Sequence, residues 1–202
     1  MYKSVTVDDH ILASEVEMDR YVFDTVWDRI WIARNEDGVE RTHRSRGFIQ
    51  QDKEELWQLV EKLMELKPQR MLEIGNACGG TTLVWQALVP EVYSLDIKTI
   101  EGHIPDSYFP DVNFLVGDTH EQSTLDMVKV YAPFDCIFID GDHSTDGVKM
   151  DFEMYSPLVR KGGIVGFHDY NHGPVQTFLD TMKDSLEILP RDYYGIALYR
   201  VE

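Results

Sequence analysis

Cysteine is nearly absent from this chain of 202 residues, with only Cys78 and Cys136 present. Two thiols make no disulfide framework in a chain of this size, and no CxxC pair suggests a zinc site, so both are expected to be reduced thiols. Long apolar runs are missing as well. No stretch approaches the ~18 apolar residues that cross a bilayer. The opening MYKSVTVDDH has neither the apolar run of a signal peptide nor the Arg/Ser bias of a transit peptide, so a cytoplasmic protein without membrane attachment is expected. Basic residues are scarce: 19 Lys and Arg against 36 Asp and Glu give a formal net charge of −17. That balance repels nucleic-acid phosphates and anionic lipid, and excludes both as non-specific partners.

What remains is a globular composition, 43% hydrophobic and 11% aromatic, long enough for one domain with a short appendage. The texture changes near residue 50, which divides the chain into an N-terminal helical and loop appendage (1–50) and a main domain (51–202). Within the appendage, residues ~15 to 33 place Phe23, Trp27, Ile30 and Trp31 on one helical stripe. Such a stripe needs a partner: the main domain, a substrate beneath a lid, or a second copy of the chain, hence an expected homo-oligomer. Arg41, His43, Arg44 and Arg46 follow as a basic island, either a solvated loop or a clamp for an anionic or hydroxyl-rich substrate. Asp52 caps the next helix, with Glu55 at its third position and Pro68 as its stop.

From Arg70 onward, short apolar runs alternate with helical patterns: RMLEIG, a helix over 80–89, VYSLDI, NFLVGD, FDCIFID, a helix over 146–158, GIVGFHD and a helix over 174–185. The alternation predicts an α/β fold, a Rossmann-like, mostly parallel seven-stranded sheet covered on both faces. The last two runs, LEILP and GIALYRVE, are joined too closely for a crossover, so they form a hairpin and end the sheet with one antiparallel strand.

The turn Gly75-Asn76-Ala77-Cys78-Gly79-Gly80 after the first strand lets backbone approach a ligand and aims helix amides at it. Asp96 ends the second strand, where a carboxylate can accept both ribose hydroxyls. A nucleoside-containing cofactor follows. Gly75-x-Ala77-x-x-Gly80 is also a degenerate dinucleotide fingerprint, which leaves a nicotinamide oxidoreductase as an alternative. Three features favour S-adenosylmethionine: Glu73 as an acidic site for the cationic methionine end, Asp118 placed to bind the adenine amino group, and the antiparallel ending. On Glu73-x-Gly75-x-x-x-Gly79, Asp96 and Val116-Gly117-Asp118, the chain resembles the class I S-adenosylmethionine-dependent methyltransferases over residues 50 to 202. The cofactor contacts this implies are Glu73, Gly75, Asn76, Ala77, Gly79, Thr81, Asp96, Ile97, Asp118, Thr119 and Asp140.

Asp140, Asp142 and His143 follow the fourth strand, and His168 and Asp169 the fifth, so all five are expected in one crevice. Carboxylates with an imidazole suit Mg²⁺ or a similar ion that binds a substrate hydroxyl. Asp142 also suits a helix-capping role. IDGDHSTDGVKMDF, PLVRKGGIVGFHDY and GFIQQDKEELW resemble the metal-dependent O-methyltransferases of the cephalosporin-hydroxylase-like, rhamnosyl and macrolide-sugar group. That resemblance implies Mg²⁺ on Asp140 and Asp169, with His168 where the first acid of a pair is usual, and His143 or Asp142 as general base. His143 is favoured because an unperturbed imidazole is mostly neutral at pH 7. The expected reaction is O-methylation of a small molecule; the resemblance implies a sugar hydroxyl as acceptor, with a catechol-like phenol second, and a partner subunit that binds cofactor without turnover is a further alternative. His10, His103, His120 and His172 read as surface residues, with His103 and Tyr108 also weighed as pocket lining; Tyr193 and Tyr194 read as packing residues.

Overall fold

A computed structural model describes residues 18–36, 49, 51–98, 108–190 and 193–202, with backbone alone for 29–36. Seven strands lie in one sheet: β1 (Arg70–Ile74), β2 (Glu91–Asp96), β3 (Val112–Val116), β4 (Phe134–Ile139), β5 (Val159–Phe167), β6 (Leu186–Ile188) and β7 (Ala197–Arg200). Their order is β3-β2-β1-β4-β5-β7-β6. The first five pair in parallel, and β7 pairs antiparallel with both β5 and β6. The single reversed strand is thus present but does not end the sheet. Ala197 and Leu198 of β7 are buried and take neighbours on both sides, whereas the three-residue β6 is only partly buried and makes the edge.

Two apolar clusters cover the two faces, and the period-2 alternation of strand side chains decides which residue joins which. Met71, Val92 and Phe138 point into one cluster, together with α1 (Arg20–Glu36), α2 (Lys53–Leu66) and α3 (Gly80–Leu88). Leu72, Ile74 and Ile137 point into the other, with α4 (Gln122–Lys129), α5 (Thr145–Tyr155) and α6 (Gly173–Leu179). The helices expected over 146–158 and 174–185 each begin as α-helix and finish as 3-10 turns, Ser156–Leu158 and Asp180–Ser185. Helix α4 was not expected, because its eight residues bury only Thr124, Leu125 and Val128, too few for a readable period.

Helix α1 seats Phe23 and Trp27 of its aromatic stripe in the core. Phe23 is fully buried and packs 5.9 Å from the Trp27 ring and 5.1 Å from Trp57 of α2. The side chains of Ile30 and Trp31, residues before 18, and the basic island with Arg41, His43, Arg44 and Arg46 lie outside the described residues, as do His10 and His103. Asp52 caps α2 as expected, accepting from the Glu54 and Glu55 amides, and Lys67 closes it at φ 52° before Pro68. Among the described residues, no helix is long and apolar enough to cross a membrane.

Candidate active site

Three strand ends meet at Gly75. Its amide donates to Leu95 and Asp140 donates to Ile74, both at 2.8 Å, which draws β1, β2 and β4 together. Its φ is +85°, and a Cβ there would stand 2.1 Å from the Asp140 carbonyl oxygen, so only glycine fits. The amides of Asn76 and Ala77 donate to Asp96 Oδ2 at 3.0 Å each. One oxygen of Asp96 therefore pins the loop, and the residue still lines the cleft.

Beyond the strand ends runs a cleft of about 660 Å³. Gly75, Asn76, Ala77, Thr81, Asp96 and Ile97 line one end, Asp118, Thr119 and His120 the flank, and Asp140, Asp142, His143, His168 and Asp169 the other end, with Gln51 and Tyr194 beside them. Thirteen of the fifteen predicted site residues thus share one space, but two do not. Gly79 is not among the lining residues; at φ +80° it turns the chain into α3. Glu73, expected to meet a cationic cofactor end, is fully buried. Its carboxylate accepts from Thr82 Oγ1 at 2.5 Å, Trp85 Nε1 at 2.8 Å and Ser94 Oγ at 2.9 Å. Burial pushes its carboxyl up despite these donors. It ties β1, β2 and α3 together from behind the loop.

At the acid end, His143 Nε2 lies 3.1 Å from Asp140 Oδ1 and 3.2 Å from Asp169 Oδ2. From the buried side, His168 Nδ1 lies 3.1 Å from Asp140 Oδ1 and 3.5 Å from Asp169 Oδ1. Burial lowers the proton affinity of His168, but Asp140 and Asp169 outweigh it and push its pKa up to about 10. The hydrogen bond from Asp140 likewise raises that of His143 against desolvation. Asp140 stays below the usual carboxylate range: burial would raise it, and both imidazoles hold it down. Asp169 adopts φ +59°, a sparsely populated conformation for a non-glycine residue that aims it into the cluster.

A methyltransferase-domain family matches residues 72–170. The mycinamicin VI 2''-O-methyltransferase of Micromonospora griseorubida is 30% identical over 110 residues, 50% of this chain and 27% of that protein. The rhamnosyl O-methyltransferase of Mycobacterium leprae is 23% identical over 159 residues, covering 70% of this chain and 67% of that one. Residues 72–170 thus resemble a methyltransferase domain. Its fold is that of the MycE methyltransferase solved with Mg, SAH and mycinamycin VI, at a TM-score of 0.61 and 20% identity, over 88% of this chain and 54% of that one. The chain thus spans little more than a quarter of the first of these relatives and about half of the solved structure.

Within the matched segment, the ligand atoms that converge are one each from Asp140, His143 and Asp169, all within 4.8 Å of one another. Two carboxylates and an imidazole fit a hard divalent cation. His168, expected as a ligand, is not in that set; its Nδ1 lies 3.1 Å from Asp140 Oδ1 and 3.5 Å from Asp169 Oδ1 on the buried side. Asp142, the other expected base, is committed elsewhere: Oδ1 accepts the Ser144 amide at 2.8 Å and Oδ2 pairs with Ser144 Oγ at 3.0 Å, while Ser144 caps α5. Three residues of the site escaped sequence reasoning. His120 and Tyr194 line the cleft, and Gln51 donates to Asp140 Oδ2 at 2.6 Å. For Gln51 a signal existed, in the GFIQQ segment of the family resemblance. Tyr108 packs against the core and does not appear in the cleft lining.

Proposed function

We propose that this chain transfers the methyl group of S-adenosylmethionine to a hydroxyl of a sugar or sugar-bearing small molecule, with Mg²⁺ or a similar ion at Asp140 and Asp169. The observation that carries the reading is the convergence of Asp140, His143 and Asp169 at one end of a cleft whose other end is the Gly75 loop and Asp96. In this reading the Asn76 and Ala77 backbone and Asp96 hold the ribose, and Asp118 and Thr119 meet the base. The sulfonium methyl then faces the acid end, where the names of the relatives, macrolide and rhamnosyl O-methyltransferases, support a sugar acceptor.

The residues have modest work, because a sulfonium methyl is already activated and alignment supplies much of the rate. A bound divalent ion would lower the pKa of the acceptor hydroxyl. His168 holds Asp140 and Asp169 from the buried side, and Gln51 fixes the second oxygen of Asp140. His143, at the open side of the cluster, takes the hydroxyl proton as the new O–CH₃ bond forms and the S–CH₃ bond breaks, leaving S-adenosylhomocysteine. A second reading, in which His143 Nε2 is itself a metal ligand, has the same 4.8 Å convergence in its favour.

Calorimetric titration with S-adenosylmethionine, S-adenosylhomocysteine and NADH, each with and without Mg²⁺, tests the reading. Binding of the two sulfur nucleosides and not NADH is expected; NADH binding alone would move the chain to the oxidoreductases. With His143→Ala, methyl transfer is expected to fall at least 100-fold, while intact Mg²⁺ affinity marks a base and lost affinity marks a ligand.

A further inference from the structure

The acid end of the cleft is closed by a turn that comes from the far end of the sequence and is fastened more firmly than its exposure explains. Glu55 on α2 is 2% exposed, and its carboxylate accepts the amides of Tyr193 at 2.6 Å, Tyr194 at 3.1 Å and Gly195 at 3.0 Å. A buried carboxylate is tolerable only when hydrogen bonded, so the three donors satisfy it and are themselves pinned. From the other side, Asn171 donates its amide to the Tyr194 carbonyl at 2.8 Å and its Nδ2 to the Tyr193 carbonyl at 2.9 Å, and Tyr170 donates to Gly195 at 3.0 Å. Tyr170 and Asn171 directly follow Asp169, and Gln51, one helical turn before Glu55, holds Asp140. The turn is therefore registered against both acids.

What this rigid turn presents is two tyrosines. Tyr193 is 70% exposed and Tyr194 is 36% exposed, unlike packing residues. The Tyr194 ring lies 5.3 Å from His168 and 5.2 Å from Tyr193, the two tyrosine planes meeting at 58°. They make a bent aromatic face with polar tips, of which Tyr194 lines the cleft and Tyr193 continues the face outward.

We propose that Tyr194, with Tyr193 beside it, is the acceptor subsite, on which a pyranose ring packs one C–H face while two neighbouring hydroxyls reach the Asp140–His143–Asp169 cluster. The inference rests on the proposed O-methyl transfer and adds the residues that choose the acceptor. A pyranose is puckered, with apolar faces and polar edges. Its C–H face meets the aromatic rings and its edges meet Gln51 and the imidazoles, whereas a flat catechol ring would meet the bent face at one tyrosine only. Glu55 is a positioning residue, acting through the turn.

Saturation-transfer NMR on the protein loaded with S-adenosylhomocysteine and Mg²⁺ tests this, with methyl α-L-rhamnopyranoside and catechol as probes. Transfer to the rhamnoside ring protons is expected, reduced at least fivefold in Tyr194→Ala, reduced less in Tyr193→Ala and Glu55→Gln, and retained in Tyr194→Phe. Calorimetric affinity for S-adenosylhomocysteine is expected to stay within twofold in all four, which also shows that they fold. An equal rhamnoside signal in Tyr194→Ala overturns the proposal. So does a wild-type protein that binds S-adenosylhomocysteine but not the rhamnoside, whether or not catechol binds. Absence of S-adenosylhomocysteine binding would overturn the methyl-transfer reading as well.

Discussion

Asp151 on α5 is fully buried behind the cleft floor, where a Cβ on Gly141 would stand 3.2 Å from its Oδ2. The His120 imidazole stands beside it, with Nε2 3.4 Å from Oδ1. Burial raises its pKa to about 6; Thr119 and His120 pull down, and Asp142 and Asp118 push up. A carboxyl that binds its proton more tightly when folded stabilises the fold below its unfolded pKa. That contribution fades as pH rises through the folded value. Stability should therefore decline between about pH 4 and pH 6 through this one group, by about 3 kcal/mol at most. Asp151→Asn removes the effect: its thermal midpoint should exceed wild type by several degrees at pH 8 and by little at pH 4.5. An offset independent of pH would show that Asp151 stays ionised throughout. Neither Asp151 nor His120 stood out in the sequence, because their pairing spans 31 positions and joins a helix to a loop. By contrast, Asp140 and Asp169 were readable because Asp140 directly follows β4 and Asp169 lies two residues past β5, and parallel strands deliver their ends to one crevice.

Elements were readable where local pattern and tertiary demand agree. Strands β1 to β5 are apolar runs bounded by turn residues, and α2 carries its cap and its stop in the sequence. Disagreement marks the rest. The third position of α2 is occupied by Glu55, which suits a capping box, yet its carboxylate serves a turn 138 residues away. Strand β7 runs between β5 and β6 because of burial across the sheet, which no local pattern encodes. For α1 the sequence left three roles open, packing, lid or contact between copies, and the burial of Phe23 allows the first two to be separated experimentally. Phe23→Ala removes a fully buried ring from contact with Trp27 and Trp57, at an expected cost of about 3–5 kcal/mol. If α1 is core, urea unfolding shifts accordingly while affinity for S-adenosylhomocysteine holds within twofold. A lid would show the reverse, with near-normal stability and weakened cofactor retention.

At the scale of the molecule, charge favours the proposed cofactor over a nicotinamide dinucleotide. The chain carries −17 formally, and five of its acids, Asp96, Asp118, Asp140, Asp142 and Asp169, line the cleft, with no Lys or Arg among the described lining residues. Such a site repels the pyrophosphate of a nicotinamide dinucleotide and attracts a cation. S-adenosylmethionine brings a sulfonium and an ammonium against one carboxylate, a net single positive charge; once the methyl has left, S-adenosylhomocysteine is neutral overall. In the proposed reaction the field that attracts S-adenosylmethionine would thus relax its hold once the methyl is transferred, which would favour product exchange. Ionic strength separates the two forms, since salt screens the long-range attraction and leaves the shared hydrogen bonds alone. Between about 50 and 500 mM NaCl the Debye length shrinks from roughly 14 to 4 Å. The dissociation constant of S-adenosylmethionine should then rise about threefold more than that of S-adenosylhomocysteine, measured by calorimetry at one pH without divalent ions. Equal slopes for the two ligands would mean that the sulfonium is held by local contacts alone and that the acidity of the chain serves another purpose.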